Sequence, residues 1–405
     1  MNRRFFSQLL ALGAGSFGLW QARARGDDEL AQAPADKGNA ANEGLVANPR
    51  RTEPVNVADF QALAKAALPP ATYDYIATGS TDEVTLKDNV AAFQRLRLLP
   101  PLLTGVAEVD TATTVLKQPI ALPILLAPVA GQSLYHPQGV LASARAAATA
   151  KTILGVSSSA GNNVEEIAAA SAGPKWFQLY MPQDRAVARR LVERADRAGF
   201  KAIVLTVDLG ERKDADKRNR FTLPEPTLRK HLRDVGFNIS DRMTYEQLLA
   251  FNDQAWDLTL SWDAFDWLRS ITKLPLLVKG VLRADDAKKA VAIGLDGIVV
   301  SNHGGRRLDG VPASIDQLPQ IVAAVNGRAE VLLDSGVRRG TDVLKALALG
   351  ARAVLIGRPY AWALAAEGEA GVAKILELLR EEMVSAMLAC GCPNVASINR
   401  SLLVP

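Results

Sequence analysis

The sequence predicts an α/β protein whose body is a (β/α)8 barrel, with an N-terminal helical cap and a long insertion after the fourth strand. Two observations predict it. From Pro123 onward one unit recurs eight times: a short β-branched or leucine-rich run, a polar or glycine turn, then an alanine-rich helical stretch. Strands alternating with helices imply right-handed crossovers and a parallel sheet, and eight such repeats close naturally on themselves. No unit of the body opens with the Gly-x-Gly-x-x-Gly turn of the competing doubly wound sheet.

In chain order, the first element is a secretory-signal pattern over residues 1–24. Arg3-Arg4-Phe5-Phe6 precedes an uncharged run from Leu9 to Trp20, and Ala22-Arg23-Ala24 supplies a small-x-small cleavage site. The paired arginines predict the twin-arginine route, cleavage near Ala24 and a periplasmic destination. The run is too short to span a bilayer comfortably. Residues 25–54 are rich in Ala, Asp, Asn, Gly and Pro, with almost no large apolar groups. Such a stretch cannot bury enough surface to offset its ordering entropy, which predicts a flexible leader.

The body, residues 55–405, carries the strand runs Pro123–Ala127, Thr152–Ser157, Lys175–Tyr180, Ala202–Asp208, Leu274–Lys279, Gly297–Ser301, Glu330–Asp334 and Ala353–Gly357. The crossover from Asp208 to Leu274, about sixty residues, is much longer than the others and reads as a lid or access gate. Its early cations, Arg212, Lys213, Arg218 and Arg220, suit anion contacts. At the C-terminal tips stand Val129 and Ala130, Ser157, Gln178 and Tyr180, Thr206 and Asp208, Lys279, Ser301 and His303, Asp334, and Gly357-Arg358. In a barrel these tips converge on one mouth, where active sites lie.

Composition excludes other classes. The 405 residues carry a formal net charge of only +4, with no basic block interleaved with aromatics, so no nucleic-acid partner is expected. The two cysteines, Cys390 and Cys392, are separated by one glycine, which suits neither a zinc knuckle nor a long-loop disulfide. Both read as free thiols, and no metal site is predicted.

Three motifs carry chemistry. Asp334-Ser335-Gly336-Val337-Arg338-Arg339-Gly340 follows strand seven and Gly357-Arg358-Pro359 follows strand eight. Glycines allow close backbone approach to a phosphate, arginines supply donors, and these two loops are the usual phosphate site of the barrel. Ser301-Asn302-His303-Gly304-Gly305-Arg306 follows strand six and holds one of only three histidines. A histidine three residues before an arginine suits a general base beside a carboxylate-binding group. His136 and His231 receive no role. Lys279 reads equally as a Schiff-base nucleophile, a charge stabiliser or a partner for Asp334.

These motifs, with Leu277-Val278-Lys279-Gly280 and Tyr73-Asp74-Tyr75 followed by Gly79, resemble the FMN-dependent L-2-hydroxy acid oxidase and dehydrogenase family from about Val55 to Leu403. The family includes glycolate oxidase, lactate oxidase and flavocytochrome b2. The resemblance implies FMN as cofactor and oxidation of a small L-2-hydroxy acid to the 2-oxo acid. It implies that His303 takes a substrate proton, and that Asp208 hydrogen-bonds His303 and raises its pKa by opposite charge. Arg306 and a second arginine would clamp the substrate carboxylate, and Tyr75 and Tyr180 would contact the substrate. Lys279 would face flavin N1 and O2, Val129 and Ala130 would pass beside N5, and Ser157, Gln178 and Thr206 would hold the pyrimidine edge. Asp334 would hold ribityl hydroxyls, with Ser301 and Ser335 also on the cofactor. Gly336, Arg338, Gly357 and Arg358 would hold the phosphate.

The chain departs from the family pattern in three places. After Asp208 the segment is shortened; the second arginine aligns at Arg212, with Lys213 competing for the position. Ser159 stands where glycolate oxidases have tryptophan, which implies a wider or differently gated pocket. Val129 replaces a threonine. Residues 173–181 and 333–336 lean toward the lactate oxidase branch. The electron acceptor stays open among oxygen, a c-type cytochrome and quinone, and family analogy implies a homotetramer. Two competing readings are an FMN barrel isomerase without net redox, of the isopentenyl diphosphate isomerase kind, and an exported flavin- or solute-binding protein with lost activity.

Overall fold

A computed structural model of the protein describes residues 53–209 and 222–404. The signal over 1–24, nearly all of the leader, and Arg212 and Lys213 lie outside the described residues. Among the described residues three helices precede the barrel: α1 (Val57–Ala67), α2 (Pro70–Ala77) and α3 (Val84–Arg95). Asn56 caps α1 by accepting the Asp59 N–H at 3.0 Å, and Pro70 opens α2, where a missing N–H costs nothing.

A two-stranded hairpin follows, β1 (Thr113–Val115) and β2 (Gln118–Ile120), which sequence reasoning did not foresee. Both turn residues, Leu116 and Lys117, are left-handed without being glycine, which hides the usual hairpin signature. The hairpin's Val115 and Ile120 bury themselves with the inward side chains of the barrel, among them Leu125, Trp176, Leu277 and Leu355. Its turn is held at the N-terminal rim, where the Leu116 N–H donates to Glu330 and Arg352 donates to the Thr114 carbonyl. The hairpin therefore plugs the end of the barrel opposite the tips.

The barrel strands are β3 (Ile124–Leu126), β4 (Leu154–Ser157), β5 (Lys175–Leu179), β6 (Ile203–Thr206), β7 (Leu276–Val281), β8 (Gly297–Val300), β9 (Glu330–Leu333) and β10 (Ala353–Ile356). They close as β10-β3-β4-β5-β6-β7-β8-β9, parallel throughout, the predicted TIM barrel. Register sets the tips level with one another: Ser157 pairs with Gln178, and Thr206 with Lys279.

Among the described residues eight helices pack outside: α4 (Gly139–Thr149), α5 (Val164–Ala170), α6 (Arg185–Arg197), then, past two insertion helices, α9 (Asp263–Ile271), α10 (Ala284–Ala292), α11 (Ser314–Val325), α12 (Gly340–Ala348) and α13 (Arg358–Ala389). The insertion helices are α7 (Glu225–Val235) and α8 (Tyr245–Gln254), the latter opened by a capping box between Thr244 and Gln247. α13 kinks at Glu367 and Gly368 and packs against α1, α4 and α12. Among the described residues no helix is long and apolar enough to cross a membrane.

Candidate active site

The strand tips open into a cavity of about 1290 Å³, walled on one side by the cap and on another by the insertion. Tyr75 reaches it from α2; Leu228 and His231 from α7; Trp256 from just beyond α8. Of the predicted residues, Tyr75, Val129, Ala130, Tyr180, Lys279, His303, Arg306, Asp334, Ser335, Gly336, Arg338, Gly357 and Arg358 all line it.

His303 leaves β8 in a left-handed conformation, φ 58°, followed by Gly304 and Gly305 at 67° and 70°. This run of positive φ turns the chain sharply back over the mouth, and glycine is required after the histidine because a side chain would be strained there. At Gly305 a Cβ would also strike the backbone of Leu86 in α3. The loop is pinned from beneath by Ser301, whose Oγ accepts from the His303 N–H at 3.0 Å and from Lys279 Nζ at 2.7 Å. Asn302 and Asn89 exchange reciprocal amide hydrogen bonds of 2.9 and 2.7 Å, tying the loop to α3.

The Asp208 carboxylate lies 2.8 Å from His303 Nδ1, and Tyr180 Oη faces Nε2 at 3.4 Å. Asp208 reaches this position because Gly280 has no side chain; a Cβ there would collide with the Asp208 carboxyl. Burial lowers the His303 pKa to about 4, assisted by the Lys279 and Arg307 charges and only partly offset by Asp208. The expected raising effect of Asp208 is present but desolvation outweighs it, so the imidazole is neutral near pH 7. Asp208 itself is buried, yet His303 and the nearby cations hold its pKa at about 2.

Lys279 is buried and pairs with Asp334 at 2.9 Å. Desolvation disfavours its charge, but Asp334 and Asp208 together overcome that penalty and raise its pKa. A lysine paired with a buried carboxylate and raised in pKa stays an ammonium rather than a neutral amine nucleophile, which favours the charge-stabilising and Asp334-partner readings.

Next to it the barrel floor carries unmet hydrogen-bonding capacity. Both amide atoms of Gln178 and the Thr206 hydroxyl are buried with no partner in the protein. Buried polar groups are rarely left unpaired unless a ligand or water completes them. An amide offering both donor and acceptor, a hydroxyl and an ammonium match the alternating carbonyl and N–H edge of a flavin pyrimidine ring. Ser157 stands beside Gln178, its Oγ accepting from the Ser159 N–H. The far end of the cavity fits a phosphate: Gly336 turns at φ 98°, and Arg338 is buried over the Trp362 ring at 5.3 Å. Burial lowers Arg338 to about 10, which still leaves it charged. Arg358 lines the cavity too, and its guanidinium also braces the cap by donating to the Ile76, Thr78 and Gly304 carbonyls.

Arg306 places its guanidinium over the Tyr75 ring at 5.1 Å and donates to the Tyr75 carbonyl at 2.6 Å. Sequence reasoning missed two contributors. His231, from the insertion, stacks on Trp256, which in turn meets Tyr180 edge-on; burial lowers its pKa to about 4. Arg307 also lines the cavity, and the doubled arginine at 306–307 was the signal available for it.

Residues 64–405 match the family described as FMN-dependent dehydrogenase. The chain is 47% identical to an L-lactate oxidase of Nostoc sp. over 360 residues, covering 87% of this chain and 98% of that protein. It is 50% identical to glycolate oxidase 1 of Oryza sativa subsp. indica over 352 residues, covering 86% and 95%. Among solved structures, a mandelate oxidase with (S)-2-phenylpropionate superposes with a TM-score of 0.77 at 42% identity, covering 87% of this chain and 98% of that one.

Proposed function

Because the chain belongs to the FMN-dependent dehydrogenase family, we propose that its substrate is a small, lactate-like L-2-hydroxy acid. The protein is an FMN-dependent oxidoreductase that converts a 2-hydroxy acid to the 2-oxo acid. Bound in the mouth, FMN supplies the two-electron acceptor. The observation that carries the reading is His303, braced by Asp208 and lining the cavity, together with the buried, unpartnered Gln178 amide and Thr206 hydroxyl at the tips of β5 and β6, next to Lys279 of β7.

The chain's own residues divide the work. Ser157, Gln178 and Thr206 hold the pyrimidine edge, with Lys279 as the fixed cation beside it. Asp334 and Ser335 take ribityl hydroxyls, and Gly336, Arg338, Gly357 and Arg358 the phosphate. Arg306 binds the substrate carboxylate, with Tyr75 and Tyr180 on the substrate hydroxyl side. His303 accepts one of the two protons lost on oxidation at Nε2, because Nδ1 faces Asp208. Asp208 then stabilises the imidazolium, a fixed-charge effect strongest where water is excluded.

Ser159, a small residue, lines the cavity, as do Trp256 and His231, which supports larger, aryl-bearing acids as a second substrate class. Oxygen is the proposed acceptor, supported by the oxidase names of the relatives. Export by the twin-arginine route rests on residues 1–24; finding Met1 retained in a cytosolic fraction would refute it. A homotetramer is proposed by family analogy and is read by sedimentation.

The test is to add L-lactate, D-lactate and an L-aryl acid without oxygen to the yellow holoenzyme. Bleaching by the L-lactate alone supports the reading. Bleaching only by the aryl acid moves the substrate class, and readmitted air then separates oxidase from dehydrogenase.

A further inference from the structure

The insertion after β6 brings to the cavity an imidazole that the reaction, as described, does not use. His231 lies on α7, which is fixed by its buried Leu228, Leu232 and Val235. Lys230 ties the same turn to the loop beyond β4, donating to the Gly161 carbonyl at 3.0 Å, and pairs with Asp234 at 2.6 Å. The His231 ring stacks on Trp256 with centroids 6.5 Å apart, and Trp256 meets Tyr180 edge-on at 6.1 Å. Trp256 is held there by an isolated backbone bridge to Pro182, two residues beyond Tyr180. Tyr180 in turn stacks on His303 at 6.5 Å. A row of four rings, all lining the cavity, therefore leads from the proposed base to His231.

Neither ring nitrogen of His231 has a hydrogen-bond partner among the described residues. Burial, helped by the Lys230 charge, lowers its pKa to about 4, so the ring is neutral near pH 7. A neutral imidazole offers one N–H donor and one nitrogen acceptor, and a hydroxyl, which both donates and accepts, matches either. The adjoining cation, Lys230, is already paired with Asp234, so a carboxylate gains little here. Resting on the 2-hydroxy acid reading, we infer that His231 is a specificity-determining residue that hydrogen-bonds a hydroxyl at the far end of the substrate side chain. Trp256 supports the aryl ring between that hydroxyl and C2. The substrate class so selected is an L-2-hydroxy acid with a hydroxyl-bearing aryl side chain.

The test measures kcat/KM of the holoenzyme for L-3-(4-hydroxyphenyl)lactate and for L-3-phenyllactate, which differ only in the distal hydroxyl. Their ratio cancels differences in folding and flavin loading between variants. Wild type should prefer the hydroxylated acid by about fivefold or more, the worth of one neutral hydrogen bond. His231→Phe keeps a flat ring on Trp256 but no nitrogen, and should bring the ratio to about one. His231→Gln keeps a donor and an acceptor, and should restore part of the preference. A wild-type ratio within about twofold of one overturns the assignment without recourse to any variant. So does a ratio that His231→Phe leaves unchanged, because another group then reads the hydroxyl. L-lactate turnover with neither aryl acid accepted also removes His231 alone; a flavin that no 2-hydroxy acid reduces overturns the functional reading with it.

Discussion

The carboxylate of Asp208 and the imidazole of His303 meet at 2.8 Å across the mouth of the barrel, from strands β6 and β8, with β7 between them. β7 permits the contact by placing Gly280 at a bulge, where any side chain would displace Asp208. Removing the proposed base should leave the cofactor site intact. His303→Gln is expected to keep its flavin spectrum and lose roughly 10²–10⁴-fold in turnover. Wild-type rates in a flavin-replete variant would show that another group takes the proton.

The pH dependence follows from the depressed His303 pKa of about 4. Only the neutral ring accepts a proton, so kcat/KM should be level near neutrality and fall as pH drops through about 4. Folding favours the neutral form. The associated stability is therefore fully present above the ordinary value of 6.5 and is lost as pH falls through about 4. A limb at or above 6.5 in the free enzyme would contradict this burial-dominated balance.

Lys279 on β7 and Asp334 at the end of β9 form a buried pair across the tip of β8. Lys279→Met leaves the Asp334 carboxylate buried without its cation, which should cost about 3–5 kcal/mol and weaken flavin binding. Urea unfolding of variant and parent, both loaded with FMN, gives the difference. A loss below about 1 kcal/mol would place this pair with exposed ion pairs instead.

Gln178 offers the reverse case. Its amide has no protein partner, so Gln178→Leu removes a desolvated polar group and should leave the apoprotein as stable or more so. The same change should weaken FMN by about tenfold, since it deletes hydrogen bonds made only to the cofactor. Apoprotein melting and flavin fluorescence titration separate the two effects.

Gly336 sits at φ 98°, and a Cβ there would overlap the Asn89 carbonyl oxygen of α3. Gly336→Ala should therefore push the cap away from the phosphate loop and cost about 1–3 kcal/mol. Thermal melting of the holoenzyme reads it, and an unchanged midpoint would mean that α3 moves freely.

Much of this architecture is legible in the chain because it is local. Strand runs, glycine turns and tip residues repeat eight times in a pattern that closes naturally into a parallel barrel; seven observed strands fall within the expected runs, and β7 runs two residues past its expected end at Lys279. The motif at 301–306 names the base and an arginine because chain neighbours must be spatial neighbours. The hairpin of Leu116 and Lys117 was hidden because its turn uses non-glycine residues in left-handed conformations.

The sequence by itself determined the fold class and most of the mouth, through residues adjacent in the chain or spaced by the barrel repeat, and its motifs carried the family resemblance that implied the cofactor. Only the tertiary structure decided the charge states and the partners. Whether Lys279 is a nucleophile or a counter-ion depends on Asp334, fifty-five positions away. Whether Asp208 or burial controls His303 depends on how deeply the ring is covered. Desolvation and Coulomb energies are set by distances through space, and those distances exist only once the barrel closes.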